Sequence, residues 1–117
     1  MIDMIRINGV NPDMIANNIT PQEPVHPGEF LREEIEERGI TQTQLAGEIG
    51  VSVSLLNEII NGKRAVSAEY AMLLEAALGI DTDYWMNLQA NYNKGVARKD
   101  PSFMERLARI RRAAAVL

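Results

Sequence analysis

Small polar side chains and two cations cluster between residues 52 and 64 of this 117-residue chain. Ser54, Asn57 and Asn61 recur at helical spacing, and Lys63-Arg64 follows them directly. Hydroxyl and amide groups form hydrogen bonds with the edges of bases, and cations neutralise phosphates. No general base lies near the serines of this stretch in the sequence. The pattern therefore predicts recognition of a nucleic acid rather than covalent catalysis.

Two short helices joined by a turn that contains glycine are predicted to hold these side chains. Thr41 followed by Gln44 has the pattern of a capping box, which starts the first helix. Gly50 ends that helix in a left-handed conformation, and Ser52 caps the second helix. The second helix has one apolar face, made of Leu55, Leu56, Ile59 and Ile60. This pattern predicts a helix-turn-helix unit, whose second helix enters the DNA major groove, with an ordinary structural hairpin as the alternative.

Six short motifs in the middle of the chain match a known family. They are HPGE at 26–29, GITQ at 39–42, IGVS at 49–52, NGKR at 61–64, AALG at 76–79 and W-x-x-L-Q-x-N-Y at 85–92. With these motifs, residues 26 to about 93 resemble the lambda-repressor-like helix-turn-helix family and, within it, the HigA or VapI-type antitoxins of toxin–antitoxin pairs. The first and last motifs are the ones typical of that branch. The resemblance implies a double-stranded DNA operator and, as a second partner, a small basic toxin of the RelE-like ribonuclease class.

Individual positions in the helix-turn-helix unit can be assigned to parts of a DNA duplex. Val53, Ser54 and Asn57 are the candidates for base contacts, because Asn can bond adenine at two atoms and Val can touch a thymine methyl. The candidates for contacts with the backbone or at the helix start are Gln42, Ser52, Asn61, Lys63 and Arg64. The role of Gln42 is implied by the resemblance, and Val53 departs from the polar residue often found at its position, which argues against hydrogen-bonded readout there. A homodimer would place two such helices about 34 Å apart.

We predict an all-α fold in three parts. Residues 26–93 form a five-helix lambda-repressor-like domain, residues 1–25 an N-terminal arm, and residues 94–117 a linker followed by an amphipathic C-terminal helix. In the arm, residues 4–7 are compatible with a short strand and residues 11–13 with one helical turn, while a flexible arm is the alternative. Each of the prolines at 21, 24 and 27 disfavours helix in the residue before it, so the folded domain is expected to begin near His26.

Composition argues against several classes of protein. The chain has no cysteine and one histidine, so no metal or cofactor is expected, and His26 is interpreted as a helix cap or packing residue. No apolar run is long enough to span a membrane and no leader opens the chain, so we expect a cytoplasmic protein. No glycine-rich phosphate loop or nucleophile motif occurs, and the glutamates at 33, 34, 36 and 37 are interpreted as a solvated helix face. We therefore predict that the protein is not an enzyme.

Charge is distributed unevenly along the chain, whose formal net charge is −4. Residues 26–92 carry four cations and eleven anions, whereas residues 93–117 carry seven cations and two anions. The predicted DNA-binding part is therefore acidic, which indicates few phosphate contacts per subunit and a need for a dimer. An acidic surface would also attract a basic protein partner, although it is equally compatible with a role in solubility alone.

Two further segments carry candidate interface residues. The fifth helix has more aromatic and other large apolar side chains than one face of a short helix can bury in so small a domain, which predicts that some of them meet a partner. In the tail, Ser102 with Glu105 has the pattern of a capping box, and apolar residues repeat on one face beside several arginines. The candidates for a dimer or partner interface are Tyr84, Trp85, Leu88, Tyr92, Phe103, Leu107 and Ile110. For the tail helix, the alternatives are packing against its own domain, dimerisation, contact with a partner protein and additional phosphate contacts.

Three functions fit these observations. The first is an antitoxin that neutralises a RelE-like toxin and represses its own operator as a dimer. The second is a stand-alone dimeric repressor without a toxin. The third is a protein-interaction module without DNA binding, which the acidic middle segment and Val53 would favour.

Overall fold

Six helices make up most of residues 23–116, which are the residues that the computed structural model describes. They are α1 (Pro27–Arg38), α2 (Gln42–Ile49), α3 (Val53–Ile60), α4 (Ala68–Leu78), α5 (Thr82–Arg98) and α6 (Pro101–Ala114). No strand occurs in this part of the chain. The predicted all-α fold with a five-helix domain and a C-terminal helix is confirmed. The expected strand at 4–7 and helical turn at 11–13 lie outside the described residues.

Local sequence signals account for the start of each helix in the five-helix domain. The capping box at Thr41 is present, with the hydroxyl accepting from the Gln44 N–H at 3.0 Å and the Gln44 side chain accepting from the Thr41 N–H at 2.8 Å. Each remaining cap accepts a hydrogen bond from a backbone amide two or three residues further on, which satisfies one of the orphan donors of a helix N-terminus. These caps are His26, Ser52, Ser67 and Asp81.

Glycines end three of the first four helices in the left-handed conformation. Gly39, Gly50 and Gly79 have φ angles of 69°, 76° and 76° and terminate α1, α2 and α4. A residue with a Cβ would be strained at these angles, so the chain reverses direction at low cost only with glycine. The predicted helix end at Gly50 is confirmed.

The hydrophobic core lies where α1, α2, α3, α4 and α5 meet. α3 packs against both α1 and α2, so two neighbours fix the orientation of the second helix of the hairpin. Its apolar face is buried, with Leu56, Ile59 and Ile60 each at most 2% exposed. Gln89 of α5 is also buried, and its side-chain oxygen accepts from the Val66 N–H at 2.8 Å. That bond ties α5 to the segment that follows α3.

The C-terminal part differs from the sequence expectation in two respects. Residues 94–98, expected in a linker, belong to α5, which continues to Arg98. Ser102 does not cap α6; the cap is Asp100, whose carboxylate accepts from the Ser102 and Phe103 amides at 3.0 and 3.3 Å. Pro101 then occupies the first turn of α6, where a missing N–H costs nothing. Asp100-Pro101 is a stronger signal for a helix start than Ser102, because it combines a capping oxygen with a preset φ.

Candidate nucleic-acid interface

The outward face of α3 is a row of small polar side chains on a helix whose other face is fixed in the core. Ser52, Ser54 and Asn57 are exposed, as is Asn61 directly after the helix. Val53 stands beside them with 42% of its surface exposed. The helix is eight residues long, and about 12 Å of helix fits the width of a DNA major groove. The structure therefore brings these five of the eight predicted DNA-contact positions to one surface.

Side-chain hydrogen bonds connect α2 to this surface. The Asn57 Nδ2 donates to Gln42 Oε1 at 3.1 Å, although the two residues are fifteen positions apart. Asn61 Nδ2 donates to Asn57 Oδ1 at 2.9 Å, one helical turn along α3. Gln42 and Asn61, both predicted to contact the DNA backbone, thus lie on either side of Asn57 and hold its amide between them.

Arg32 of α1 extends this row and was not found by sequence analysis. Its Nη2 donates to Asn61 Oδ1 at 2.8 Å and approaches the Ile60 carbonyl oxygen at 3.5 Å. Periodicity alone places Arg32 on the charged outer face of α1 among glutamates, where a cation is unremarkable. The signal that it meets α3 exists only in the packing of α1 against that helix.

The two cations after α3 differ in their surroundings. Arg64 Nε donates to Glu58 Oε1 at 2.9 Å, with both side chains about half exposed. Lys63 is exposed, and its backbone N–H donates to the Glu58 carbonyl oxygen at 2.8 Å. The Lys63 ammonium is therefore accessible to a DNA phosphate, whereas Arg64 can bind a phosphate only after it releases Glu58. Such an exposed ion pair is weak and can be exchanged at small cost.

The imidazole of His26 joins the start of α1 to the exit of α3. Its Nδ1 accepts from the Gly28 N–H at 2.9 Å, and its ring meets the Tyr92 ring edge to face at a centroid distance of 4.8 Å. Burial lowers the pKa of His26, while a hydrogen bond with the Arg64 backbone and the charge of Glu29 act in the opposite direction. A neutral ring is the form that leaves Nδ1 free to accept, so the predicted role as a helix cap is confirmed.

Comparisons with known proteins agree on one family. The sequence profile of a helix-turn-helix family matches residues 31–85. Virulence-associated protein I of Dichelobacter nodosus is 38% identical over 77 residues, which cover 65% of this chain and 71% of that protein. A HigA-family addiction module antidote protein from Coxiella burnetii superposes with a TM-score of 0.66 at 31% identity, over 73% of this chain and 95% of that one. The chain belongs to the HigA and VapI branch of the helix-turn-helix family.

A further HigA structure shows a bound nucleic acid. The Pseudomonas aeruginosa antitoxin HigA, solved with the higBA promoter, has a TM-score of 0.61 and 37% identity over 63% of this chain and 82% of that one. The helix-turn-helix family profile, which matches residues 31–85, spans both helices of the α2–α3 hairpin.

In this HigA-type chain, the residues predicted for a dimer or partner interface divide into two groups. Trp85 has no exposed surface and packs against Phe30 at a ring centroid distance of 5.2 Å, so its predicted place in an interface is wrong. The large indole fills the centre of a small core, whereas the adjacent Tyr84 is 46% exposed. The other six are at least partly accessible, and they are Tyr84, Leu88, Tyr92, Phe103, Leu107 and Ile110.

The α6 helix of the HigA-type chain packs against α5 and buries none of its residues completely. Phe103 is 39% exposed and Ile110 53% exposed, so the apolar side of α6 is only partly covered. Of the alternatives left open by the sequence, packing on its own domain is therefore observed along α5. The uncovered remainder keeps α6 a candidate for contact with a second protein.

Between residues 23 and 116, no three side chains of the His, Asp and Glu types are grouped so that they could share a metal ion. Over the same residues, none of the helices combines the length and the apolar character needed to cross a membrane.

Proposed function

We propose that this protein is a transcriptional repressor that binds its own operator and acts as the antitoxin of a toxin–antitoxin pair. The observation that carries the proposal is the exposed polar surface of α3, continuous with Gln42 of α2, on a fold shared with a HigA antitoxin solved with its promoter. Helix-turn-helix proteins of this family bind DNA rather than catalyse reactions. The proposed role is therefore binding, not catalysis.

The mechanism follows from the placement of α3 in the major groove. Val53, Ser54 and Asn57 face base edges, with Val53 supplying an apolar contact and Asn57 a two-atom contact with adenine. Phosphate contacts flank them and come from Gln42, Ser52, Asn61, Lys63 and Arg64. Since phosphate contacts fix the register and base contacts read the sequence, both sets are needed for operator recognition.

A homodimer completes the proposed DNA-binding unit. Few cations lie at the α3 surface, and Glu58 already pairs with Arg64, so a single subunit gains little from phosphates. Two subunits with recognition helices about 34 Å apart would bind adjacent major grooves of a palindromic operator. The accessible aromatic and apolar side chains of α5 and α6 supply the surface for pairing.

The second proposed partner is a small basic toxin of the RelE-like ribonuclease class. Glutamates 33, 36 and 37 are exposed on α1, and residues 26–92 carry a large excess of negative charge. Such a surface accelerates the encounter with a basic protein. A stand-alone repressor without a toxin is the alternative function, and it requires only the α3 surface.

The charge at the exit of α3 leads to a first prediction. Lys63→Ala removes an exposed cation without touching the polar row, so we expect weaker binding to every DNA sequence. Because each subunit loses one phosphate contact, the slope of log K against log salt should fall by about one per subunit of the dimer. The ratio of operator to scrambled-DNA affinity serves as the internal control and should not change. A changed ratio would show that Lys63 reads bases instead.

The Glu58–Arg64 ion pair leads to a second prediction. Glu58→Gln should release Arg64 for a phosphate and remove a repulsive charge, so operator affinity should rise by about two- to fivefold at low salt, in line with a pair worth below 1 kcal/mol. Glu48→Gln on α2 makes the same change in net charge and is the matched control. Equal gains from both variants would mean that net charge alone is responsible.

Co-purification followed by a promoter gel shift tests the proposed function as a whole. The chain would be expressed with the product of the adjacent gene, and binding to the shared promoter measured with and without that product. A stable complex and a specific shift support the antitoxin function. A specific shift without a complex supports the stand-alone repressor, and the lack of any salt-dependent shift would leave only the interaction module.

A further inference from the structure

We propose that Arg32, which lies outside the helix-turn-helix unit, is a positioning residue for DNA recognition. It sets the direction in which the side-chain amides of Asn61, Asn57 and Gln42 point. The inference rests on the proposed DNA-binding function and extends it to a specificity determinant on α1.

The observation behind it is a continuous chain of hydrogen bonds across three helices. Arg32 Nη2 donates to Asn61 Oδ1 at 2.8 Å, and Asn61 Nδ2 donates to Asn57 Oδ1 at 2.9 Å. Asn57 Nδ2 in turn donates to Gln42 Oε1 at 3.1 Å. The chain begins on α1, runs along the outward face of α3 and ends on the first residue of α2.

The chemistry of the first member makes this chain directional. A guanidinium group has donors only, whereas each amide has one donating end and one accepting end. Asn61 must therefore turn its oxygen toward Arg32, which leaves its nitrogen for Asn57. The same constraint passes through Asn57 to Gln42. Without Arg32, three amides that bond only to one another could reverse together and keep the same number of internal bonds.

Direction matters because it decides what the surface offers to DNA. In the observed direction Gln42 keeps its Nε2 donors, which suit a phosphate oxygen. Asn57 keeps one N–H and one lone pair in a fixed arrangement, which a two-atom contact with adenine needs. In the reversed direction Gln42 would present an oxygen to the phosphate, and the two ends of Asn57 would be exchanged. Arg32 therefore preorganises the one arrangement that fits a given base.

Two simpler roles for Arg32 make different predictions. If Arg32 were a phosphate contact, its removal would lower the affinity for all DNA and reduce the salt slope. As a cap on the α3 carbonyl groups, it would affect stability and leave sequence preference unchanged. The bond to the Ile60 oxygen is long, at 3.5 Å, which favours the Asn61 contact as the main one.

The experiment compares Arg32→Met and Arg32→Lys with Arg38→Met. Arg38 is a matched control, because it lies on the same helix and its Nη2 donates to the Leu78 carbonyl at 2.8 Å, yet it has no contact with the amide chain. For Arg32→Met we expect the ratio of operator to scrambled-DNA affinity to fall by about two- to tenfold, the effect of one hydrogen bond. Arg32→Lys keeps a donor-only group and should restore most of the ratio.

A second measurement reads the amide chain in the free protein. In ¹⁵N-labelled protein without DNA, Arg32→Met should shift the side-chain amide signals of Asn61, Asn57 and Gln42, whereas Arg38→Met should shift none of them. Unchanged Asn57 and Gln42 signals would overturn the proposal, whatever DNA binding does. An unchanged affinity ratio with a reduced salt slope would overturn it as well. If the amide signals shift but the unmodified protein binds no operator, the proposed function fails, and with it the recognition role of Arg32.

Discussion

Asn57→Ala is expected to weaken operator binding by about 1 to 3 kcal/mol, roughly 5- to 150-fold, and to relax sequence preference at one base pair of each half-site. Asn57 is exposed at the middle of the α3 surface, and its amide is held at both ends by Gln42 and Asn61. Because these two hydrogen bonds already fix the amide, it loses little side-chain entropy when it binds a base. Its contact therefore contributes more to the free energy of binding than that of a mobile amide would.

The measurement is an affinity series against operators in which each base pair is replaced in turn. The wild type should discriminate at every read position, and Asn57→Ala should become indifferent at one of them. Asn87→Ala removes an exposed amide from α5 and is the matched control, for which we expect no loss of operator affinity or of base-pair discrimination. If Asn57→Ala lost affinity equally for operator and scrambled DNA, Asn57 would be a backbone contact and the placement of α3 would be wrong.

Features set by short stretches of sequence were predictable. The capping box at Thr41, the serine cap at 52 and the glycine at 50 depend on neighbours within four residues, so the local pattern was enough. The outward position of Asn57 followed from the apolar period of α3, since a helix with one buried face must expose the other.

Features set by packing between distant residues were not predictable. Arg32 and Asn61 are 29 positions apart, and no period or motif connects them. The burial of Trp85 likewise depends on packing between residues that are distant in the sequence. An excess of aromatics on α5 showed that some must remain outside, but only the packed core decides that the indole goes in and Tyr84 stays 46% exposed. The residue types of the polar α3 surface could thus be predicted from the sequence, whereas the partners that orient them are known only from the fold.

The close approach of α1 to α3, which brings Arg32 to Asn61, depends on Gly28. A Cβ at this position would lie 2.0 Å from the Ile59 carbonyl oxygen and 2.8 Å from that of Ile60. Both atoms belong to the backbone of α3, so no side-chain rotation can relieve the overlap. The glycine is needed for proximity and not for its backbone angles, since Gly28 does not have a positive φ.

Gly28→Ala should therefore lower the free energy of unfolding by about 2 to 4 kcal/mol, because the first turn of α1 must move away from α3 and open the core. Gly47→Ala is the matched control: that glycine lies inside α2 with open space around it, and alanine there should raise stability by about 0.5 to 1 kcal/mol. Thermal and denaturant unfolding of the two variants should give shifts of opposite sign. A Gly28→Ala protein as stable as the wild type would mean that α1 and α3 are not held at this distance, and the contact of Arg32 with Asn61 would then lose its structural basis.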